Sequence, residues 1–254
     1  MTTDLQAAAR TALACLDLTS LNDVDTAADI ATLCQRVQTA HGNVAAVCVW
    51  PRFVAHARAA LPASIKVAAV ANFPDGSLDL QRELADVAEI AQAGGDEVDV
   101  VLPYRALLAG KTTEVAEFLS EVRFASRPLT LKVIIESGEL GTTERIAQAT
   151  RMALAAGADF VKTSTGKTKT GATPEAAAVM LKEIKASGLS AAGFKASGGV
   201  RSVLDAAGYI AQAEAALGAA ALNPQRLRFG ASGLLTDIEA VLAGAESAAV
   251  TSAY

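Results

Sequence analysis

The chain lacks the features that define several large classes of protein. Its 254 residues contain no apolar run long enough to span a bilayer, because Asp, Lys, Arg or Pro interrupts each one. The net charge of −5 argues against nucleic-acid binding, although a few local cations can still hold one small anion. The first ten residues have neither a basic segment nor an apolar core. We therefore expect no signal peptide, no membrane partner and a cytoplasmic protein.

Cysteine and histidine are scarce as well. The three cysteines (Cys15, Cys34 and Cys48) are an odd number without CxxC spacing, which favours free thiols in a reducing compartment. The two histidines, His41 and His56, lie in or next to predicted helices and form no cluster with carboxylates or thiols. We therefore predict no metal and no cofactor. Both histidines should lie at the surface, and Cys48, which ends an apolar strand, should be a core residue.

Apolar residues are abundant, at 52% of the chain, and they form short runs that alternate with helical patterns. Eight such runs in about 250 residues predict a (β/α)8 TIM barrel. We expect one domain over residues 1–254, with an extra helix at Leu5–Ala14 and a mobile tail at about 244–254. A doubly wound sheet is the alternative, because alternation alone does not prove closure. The predicted strands are Cys15–Thr19, Val44–Trp50, Lys66–Phe73, Glu97–Pro103, Leu129–Glu136, Asp159–Thr163, Ala191–Ala196 and Leu227–Ala231.

Two lysines end neighbouring predicted strands. Lys162 closes the sixth strand and Lys195 closes the seventh, and adjacent strands lie about 4.8 Å apart. Two ammonium groups this close, in a partly dry site, disfavour double protonation, so one amine should have a lowered pKa and be nucleophilic. The pattern does not indicate which one. The alternative interpretation is a pair of surface lysines at strand ends.

Two further charges lie inside apolar strands. Asp99 in the fourth strand and Lys132 in the fifth are expected to pair, because an unpaired buried charge is very costly. A carboxylate near reactive lysines can move protons, which favours a functional role for Asp99. For Lys132, a structural ion pair and a functional role remain equally open.

Glycine-containing loops follow the last three predicted strands. Backbone N–H groups in such loops, opening onto helix N-termini, suit a phosphate group. A phosphate site beside a reactive lysine is typical of imine-forming sugar-phosphate enzymes. The loops are Thr165-Gly166-Lys167, Ser197-Gly198-Gly199 and Ala231-Ser232-Gly233.

Several of these segments, in the same order along nearly the whole chain, resemble the deoxyribose-phosphate aldolase family. The most specific are Phe160-Val161-Lys162-Thr163-Ser164-Thr165-Gly166 and Gly193-Phe194-Lys195-Ala196-Ser197-Gly198-Gly199. The others are Asp17-Leu18-Thr19-Ser20-Leu21, Asn72-Phe73-Pro74, Glu97-Val98-Asp99-Val100-Val101, Pro103-Tyr104, Lys132-Val133-Ile134-Ile135-Glu136, Arg228-Phe229-Gly230-Ala231-Ser232 and the final Ser-Ala-Tyr.

The resemblance implies a class I aldolase that cleaves 2-deoxy-D-ribose 5-phosphate to acetaldehyde and D-glyceraldehyde 3-phosphate. It implies that Lys162 forms the Schiff base and that Lys195 lowers the pKa of Lys162. Asp99 would transfer protons, Asp17 would join the same polar network, and Tyr254 would reach the site from the tail. The residues that match the phosphate loops are Thr165, Gly166, Lys167, Gly198, Gly199, Ser232 and Gly233.

Two segments depart from the family pattern. Many members have Pro-Ala where this chain has Ala196-Ser197, and many have a second serine at Gly233. Gly233 still offers its N–H, so we expect altered phosphate affinity and intact chemistry. The competing hypotheses are a phosphosugar isomerase or lyase that works without an imine, and a phosphosugar-binding sensor. The partners should be phosphorylated sugar and aldehyde substrates. A homo-oligomer is compatible with the fold, but the sequence identifies no interface.

Overall fold

The structure, a computed structural model, describes residues 4–248. Eight parallel strands close into a barrel in the order β1-β10-β9-β8-β7-β6-β5-β4, because β1 pairs with both β10 and β4. The remaining two strands form a short hairpin outside the barrel. In chain order the strands are β1 (Leu16–Thr19), β2 (Gln38–Thr39), β3 (Gly42–Asn43), β4 (Ala46–Val49), β5 (Lys66–Ala71), β6 (Glu97–Val101), β7 (Thr130–Ile134), β8 (Phe160–Lys162), β9 (Gly193–Ser197) and β10 (Leu227–Ala231).

Helices connect the strands and cover the outside of the barrel. They are α1 (Leu5–Ala14), α2 (Ala27–Gln35), α3 (Val54–Ala60), α4 (Leu80–Gln92), α5 (Tyr104–Leu108), α6 (Thr112–Ala125), α7 (Ser137–Leu140), α8 (Thr143–Ala155), α9 (Pro174–Ala186), α10 (Val203–Leu217) and α11 (Leu234–Leu242). The predicted barrel and its extra first helix are confirmed. That helix, α1, packs against α10 and α11, the helices on either side of β10. No helix between residues 4 and 248 has the length and apolar content needed to cross a membrane.

Local sequence explains where the helices begin. Thr26 and Asp29 form a reciprocal capping box at α2, and Thr173 caps α9 ahead of a proline in its first turn. Ser202 and Asp205 form a second capping box at α10. These caps satisfy N–H groups that would otherwise lack partners, so they fix the points where the chain leaves each barrel loop.

Most strands end earlier than the apolar pattern predicts. The third predicted strand corresponds to β5, which stops at Ala71 and does not reach Phe73, because Asn72 adopts a left-handed backbone with φ of 53°. The fifth predicted strand corresponds to β7, which stops at Ile134 and does not reach Glu136, and Glu136 itself has φ of 51°. A residue with a left-handed backbone cannot continue a strand. Asn72 and Glu136 are nevertheless buried, so the buried segment is longer than the hydrogen-bonded strand at both positions.

The predicted tail begins at Gly244, and its first five residues lie within the described part. The Ser247 hydroxyl and the Ala248 N–H both donate to the carboxylate of Asp237, at 2.7 Å each, and Asp237 also accepts from Val203 N–H at 2.6 Å. Asp237 is in the first turn of α11, so this segment runs back along the helix to the carboxyl end of the barrel. Tyr254 lies outside the described residues.

Candidate active site

Lys162 and Lys195 lie directly opposite each other, but Lys195 is the central residue of β9 and does not end the strand as the sequence predicts. Lys162 ends β8 and is in register with Lys195 of β9, and both side chains are buried. Each ammonium nitrogen donates to the same oxygen of Asp99, at 2.8 Å from Lys162 and 2.7 Å from Lys195. One carboxylate oxygen therefore bridges the two amines, as the barrel prediction required and as two surface lysines would not.

Asp99 is the centre of this arrangement. Its second oxygen accepts from Lys132 at 2.8 Å, and the two residues are in register between β6 and β7, which confirms the predicted pair. Burial alone would raise the pKa of Asp99, but the three lysines outweigh it and hold this pKa well below the ordinary value. Asp99 is therefore an anion that accepts hydrogen bonds from three lysine side chains.

Lys162 and Lys195 have different charged neighbours, and their pKa values shift in opposite directions. Lys195 also donates to Asp17, and the carboxylates of Asp17 and Asp99 together outweigh burial and raise its pKa. Among the described residues, the Lys162 amine has one hydrogen-bond partner, which is the Asp99 oxygen that it shares with Lys195. Burial, with a further contribution from the positive charge of Lys195, lowers the pKa of Lys162. The structure thus makes Lys162 the more readily deprotonated of the two amines, and burial contributes more to its lowered pKa than the neighbouring ammonium that the resemblance emphasised.

Two charged residues of this network were not among the predicted site residues. Arg228 of β10 donates to Asp17 at 2.6 Å and to Glu97 at 2.8 and 3.1 Å. Glu97 lies two residues before Asp99, on the same face of β6, and pairs with Lys132 at 2.5 Å. The available signal was a charged residue inside an otherwise apolar strand, as for Lys132.

Glu136 is a third residue whose role the sequence did not indicate. It is buried at the end of β7, and its carboxylate accepts from the Thr165 hydroxyl at 2.5 Å and from the Thr165 N–H at 3.3 Å. Thr168 donates to it as well, at 3.3 Å. Burial raises its pKa and these hydrogen bonds oppose the shift. Glu136 therefore fixes the loop that follows β8.

All seven predicted phosphate-loop residues line one pocket of about 330 Å³ at the carboxyl end of the barrel. Its wall combines the loops after β1, β8, β9 and β10. The α11 N-terminus opens onto it at Gly233, and the positive end of a helix favours an anion there. Lys167 lines this pocket and donates to the Leu21 carbonyl at 2.7 Å, so it joins the loops after β8 and β1. Arg201 supplies a second cation.

The pocket depends on close backbone packing between loops. Gly198 has φ of 84°, and a Cβ there would meet Gly171 at 3.0 Å and Gly166 at 3.3 Å. A Cβ on Gly171 would clash with the carbonyl of Gly198, and the Ala172 N–H donates to that same carbonyl at 2.9 Å. Gly171 was not predicted as a site residue, since a lone loop glycine gives no distinctive signal.

The pocket adjoins the lysine cluster at Gly230. This glycine lines the pocket, and an added Cβ would meet the Ser197 hydroxyl at 2.7 Å and Cε of Lys195 at 3.0 Å. A phosphate held by the loops would therefore place the rest of a small substrate over the lysines. Reactive amine and anion pocket are thus neighbours, as the order of strands β8, β9 and β10 requires.

The remaining residues singled out in the sequence lie elsewhere. Cys48 is buried in β4, and burial raises the pKa of its thiol, as expected for a core residue. His41 and His56 are exposed, and His41 lies in the β2–β3 hairpin rather than near a helix. Within residues 4–248 no three His, Cys, Asp or Glu side chains form a group that could hold a metal.

A TIM barrel with a buried lysine of lowered pKa at a strand end, an adjoining carboxylate and an anion pocket defines the class of imine-forming aldolases. Residues 11–238 match the DeoC/LacD family aldolase model, and the chain belongs to this family. It is 47% identical to a deoxyribose-phosphate aldolase from Agrobacterium fabrum, over the full length of both chains.

Solved structures agree with this assignment. The barrel is similar to that of QR15, an aldolase, with a TM-score of 0.77, 27% identity and coverage of 92% of this chain and 96% of the other. It is also similar to the tetrameric deoxyribose phosphate aldolase from Aeropyrum pernix, with a TM-score of 0.73, 25% identity and coverage of 95% and 98%.

Proposed function

We propose that this chain is a deoxyribose-phosphate aldolase, a class I lyase that reversibly cleaves 2-deoxy-D-ribose 5-phosphate to acetaldehyde and D-glyceraldehyde 3-phosphate. The observation that carries the proposal is the buried Lys162 amine, whose pKa is lowered, beside Asp99 and next to a phosphate-sized pocket. The full-length similarity to a curated aldolase of this specificity supports the choice of substrate.

The chemistry begins at Lys162. Its neutral amine adds to the C1 aldehyde carbon of the open-chain sugar, and loss of water gives a cationic imine. The C3 hydroxyl gives its proton to the Asp99–Lys195 network through a bound water, and the C2–C3 bond breaks. Its electron pair moves toward the imine nitrogen, leaving an enamine, and D-glyceraldehyde 3-phosphate departs. A proton added at C2 restores the imine, and water releases acetaldehyde and the free amine.

The charged partners of Lys162 have distinct roles in this scheme. Lys195 stays protonated because Asp17 and Asp99 both bind it, so it can supply or share a proton without competing as a nucleophile. Asp99 bridges Lys162 and Lys195, because one of its oxygens accepts from both amines. The family resemblance suggests Tyr254, which lies outside the described residues, for the proton transfer at C2.

The phosphate loops position the substrate. Thr165, Gly166, Lys167 and the loops after β9 and β10 hold the phosphate at one end of the pocket. Binding energy from the phosphate, which does not react, then orients C1 toward Lys162 and lowers the barrier to imine formation.

The cellular setting follows from the substrate. We place the enzyme in the cytoplasm, in the breakdown of deoxyribonucleosides and deoxyribonucleotides, with residues 1–254 as a single catalytic domain. Its three cysteines are free and buried, as suits a reducing compartment. We also propose a homo-oligomer, on the precedent of the tetrameric Aeropyrum relative. Light scattering at micromolar concentration tests this assembly.

Borohydride reduction in the presence of acetaldehyde tests the imine directly. We expect one added ethyl group per chain, found by intact mass and mapped to Lys162 by peptide analysis. An ethyl group on Lys195 would keep the aldolase and reverse the lysine roles. The absence of any adduct would contradict imine chemistry and support the isomerase, lyase or sensor hypotheses. Turnover of 2-deoxy-D-ribose 5-phosphate without an adduct would then separate the lyase from the sensor.

A further inference from the structure

The inside of the barrel contains a continuous chain of charged side chains, which we call the barrel charge chain. Each member forms an ion pair with at least one other member, and none is more than 5% exposed. It consists of the carboxylates Asp17, Glu97 and Asp99 and the cations Lys132, Lys162, Lys195 and Arg228.

The barrel charge chain runs from one end of the barrel to the other. Lys162 lies at the carboxyl end, where β8 stops. Glu97 is the first residue of β6 and Arg228 the second of β10, and both line a separate cavity of about 860 Å³ at the amino-terminal end. Neither forms an ion pair with Lys162. Glu97 and Arg228 therefore influence Lys162 without contacting it, by their charges and by the ion pairs of the members between them.

Within the barrel charge chain, the charges balance only if Lys162 is uncharged. The three carboxylates carry three negative charges, and Lys132, Lys195 and Arg228 carry three positive charges. Each of these three cations contacts at least two carboxylates, whereas Lys162 contacts a single oxygen that it shares with Lys195. Protonation of Lys162 would leave a net charge in a buried site, which is strongly unfavourable.

The other polar neighbours do not alter this balance. The Cys48 thiol in β4 and the Cys15 thiol before β1 face the chain, and burial raises the pKa of both, that of Cys15 to about 12. Both thiols are therefore neutral at physiological pH. Glu136, two residues after the end of β7, also interacts electrostatically with Lys162, but it forms no ion pair with a member of the barrel charge chain: burial raises its pKa, and its oxygens accept from Thr165 and Thr168. The ring of Phe160 lies 5.5 Å from the Arg228 guanidinium and carries no charge.

We propose that the Glu97–Arg228 ion pair, at the opposite end of the barrel from the substrate, holds Lys162 as a free amine by completing the charge balance of the barrel charge chain. Glu97 and Arg228 are thus positioning residues that act on the catalytic lysine through Lys132, Asp17 and Asp99. This inference rests on the proposed function insofar as Lys162 is the nucleophile.

The test exploits the opposite signs of the two residues. Glu97→Gln removes a negative charge, so Lys162 should resist protonation further, and its pKa should fall by about one unit. Arg228→Gln removes a positive charge, so protonation of Lys162 restores neutrality, and its pKa should rise by about one unit. At a pH on the acid limb, this means about tenfold more and tenfold less reactive amine, respectively.

The measurement is the pH dependence of Lys162 labelling by formaldehyde and cyanoborohydride, followed by peptide mass analysis. Labelling needs only the free amine, so it reports the protonation state even if cleavage of the sugar phosphate fails, and the two failures are distinguishable. The pH profile of kcat/KM for 2-deoxy-D-ribose 5-phosphate is measured in parallel. We expect its acid limb to move with the labelling curve.

Three control variants separate charge balance from structural damage. The double variant Glu97→Gln/Arg228→Gln restores neutrality with Lys162 uncharged and should return the wild-type profile. Arg228→Lys keeps the positive charge and should also preserve it. Asp159 lines the same cavity but is not a member of the barrel charge chain, since it pairs with Arg123. Asp159→Asn therefore removes a nearby charge and should cause no shift in the pKa of Lys162.

The opposite shifts, reversed in the double variant, would establish the proposal. Shifts of the two single variants in the same direction would overturn it, as would shifts no larger than that of Asp159→Asn. If Arg228→Gln fails to fold, Glu97→Gln and the double variant still decide the question, because the proposal requires the first to shift downward and the second to return.

Discussion

One carboxyl group outside the active site should make a large contribution to the pH dependence of stability. Glu83 lies in the first turns of α4 and is completely buried, and neither of its side-chain oxygens has a hydrogen-bond partner. Burial, and then the negative charge of Asp86, raise the pKa of Glu83 from 4.5 to about 8. At neutral pH the native protein therefore keeps this carboxyl protonated.

The sign of the stability effect follows from proton linkage. Between pH 4.5 and pH 8 the unfolded chain releases the Glu83 proton while the native state retains it, so the native state binds more protons. Stability is then fully present below pH 4.5 and falls as pH rises toward 8. One pKa unit corresponds to about 1.4 kcal/mol, so the complete loss is about 5 kcal/mol, of which about 3.5 kcal/mol falls between pH 5 and pH 8.

Glu83→Gln isolates this effect, because glutamine has nearly the same shape and cannot ionise. We expect the free energy of unfolding of wild type, minus that of the variant, to fall by about 3.5 kcal/mol from pH 5 to pH 8. Reversible urea unfolding at four pH values measures it. Glu89→Gln, an exposed position on the same helix, is the matched control and should run parallel to wild type. Parallel curves for Glu83→Gln as well would refute the reasoning.

Further predictions concern the active site and the tail. Lys162→Ala should abolish aldol cleavage and leave the circular dichroism spectrum unchanged; substantial residual turnover would contradict its role as nucleophile. Gly230→Ala should displace Lys195 and lower kcat about 100-fold with little change in phosphate affinity, measured by steady-state kinetics and inorganic phosphate inhibition; a wild-type kcat would show that the lysine tolerates the methyl group. Asp237→Asn should weaken the tail anchor by about 1–3 kcal/mol and speed hydrogen exchange at the Ala248 amide; unchanged exchange would rule out an anchoring role. Deletion of Tyr254 should slow proton exchange at the acetaldehyde methyl more than it weakens phosphate binding, and equal exchange rates would remove the tail from the mechanism.

The sequence by itself determined the barrel and most of its active face. Apolar runs that alternate with helix patterns have few other ways to bury both faces of each strand. Lysines and glycine loops that follow consecutive strands must meet at one end of a parallel barrel. For this reason the sequence predicts that Lys162, Lys195 and Asp99 lie near the seven phosphate-loop residues, and the structure brings them together at one end of the barrel.

Only the tertiary structure shows which of the two lysines has the lowered pKa. The two lysines have similar local sequences, and the difference lies in Asp17, which reaches Lys195 because barrel closure brings β1 beside β10, the neighbour of β9. The same closure brings Arg228 to Glu97, residues 131 positions apart. Charge balance inside a barrel is a sum over strands that are distant in the chain, and no local pattern contains it.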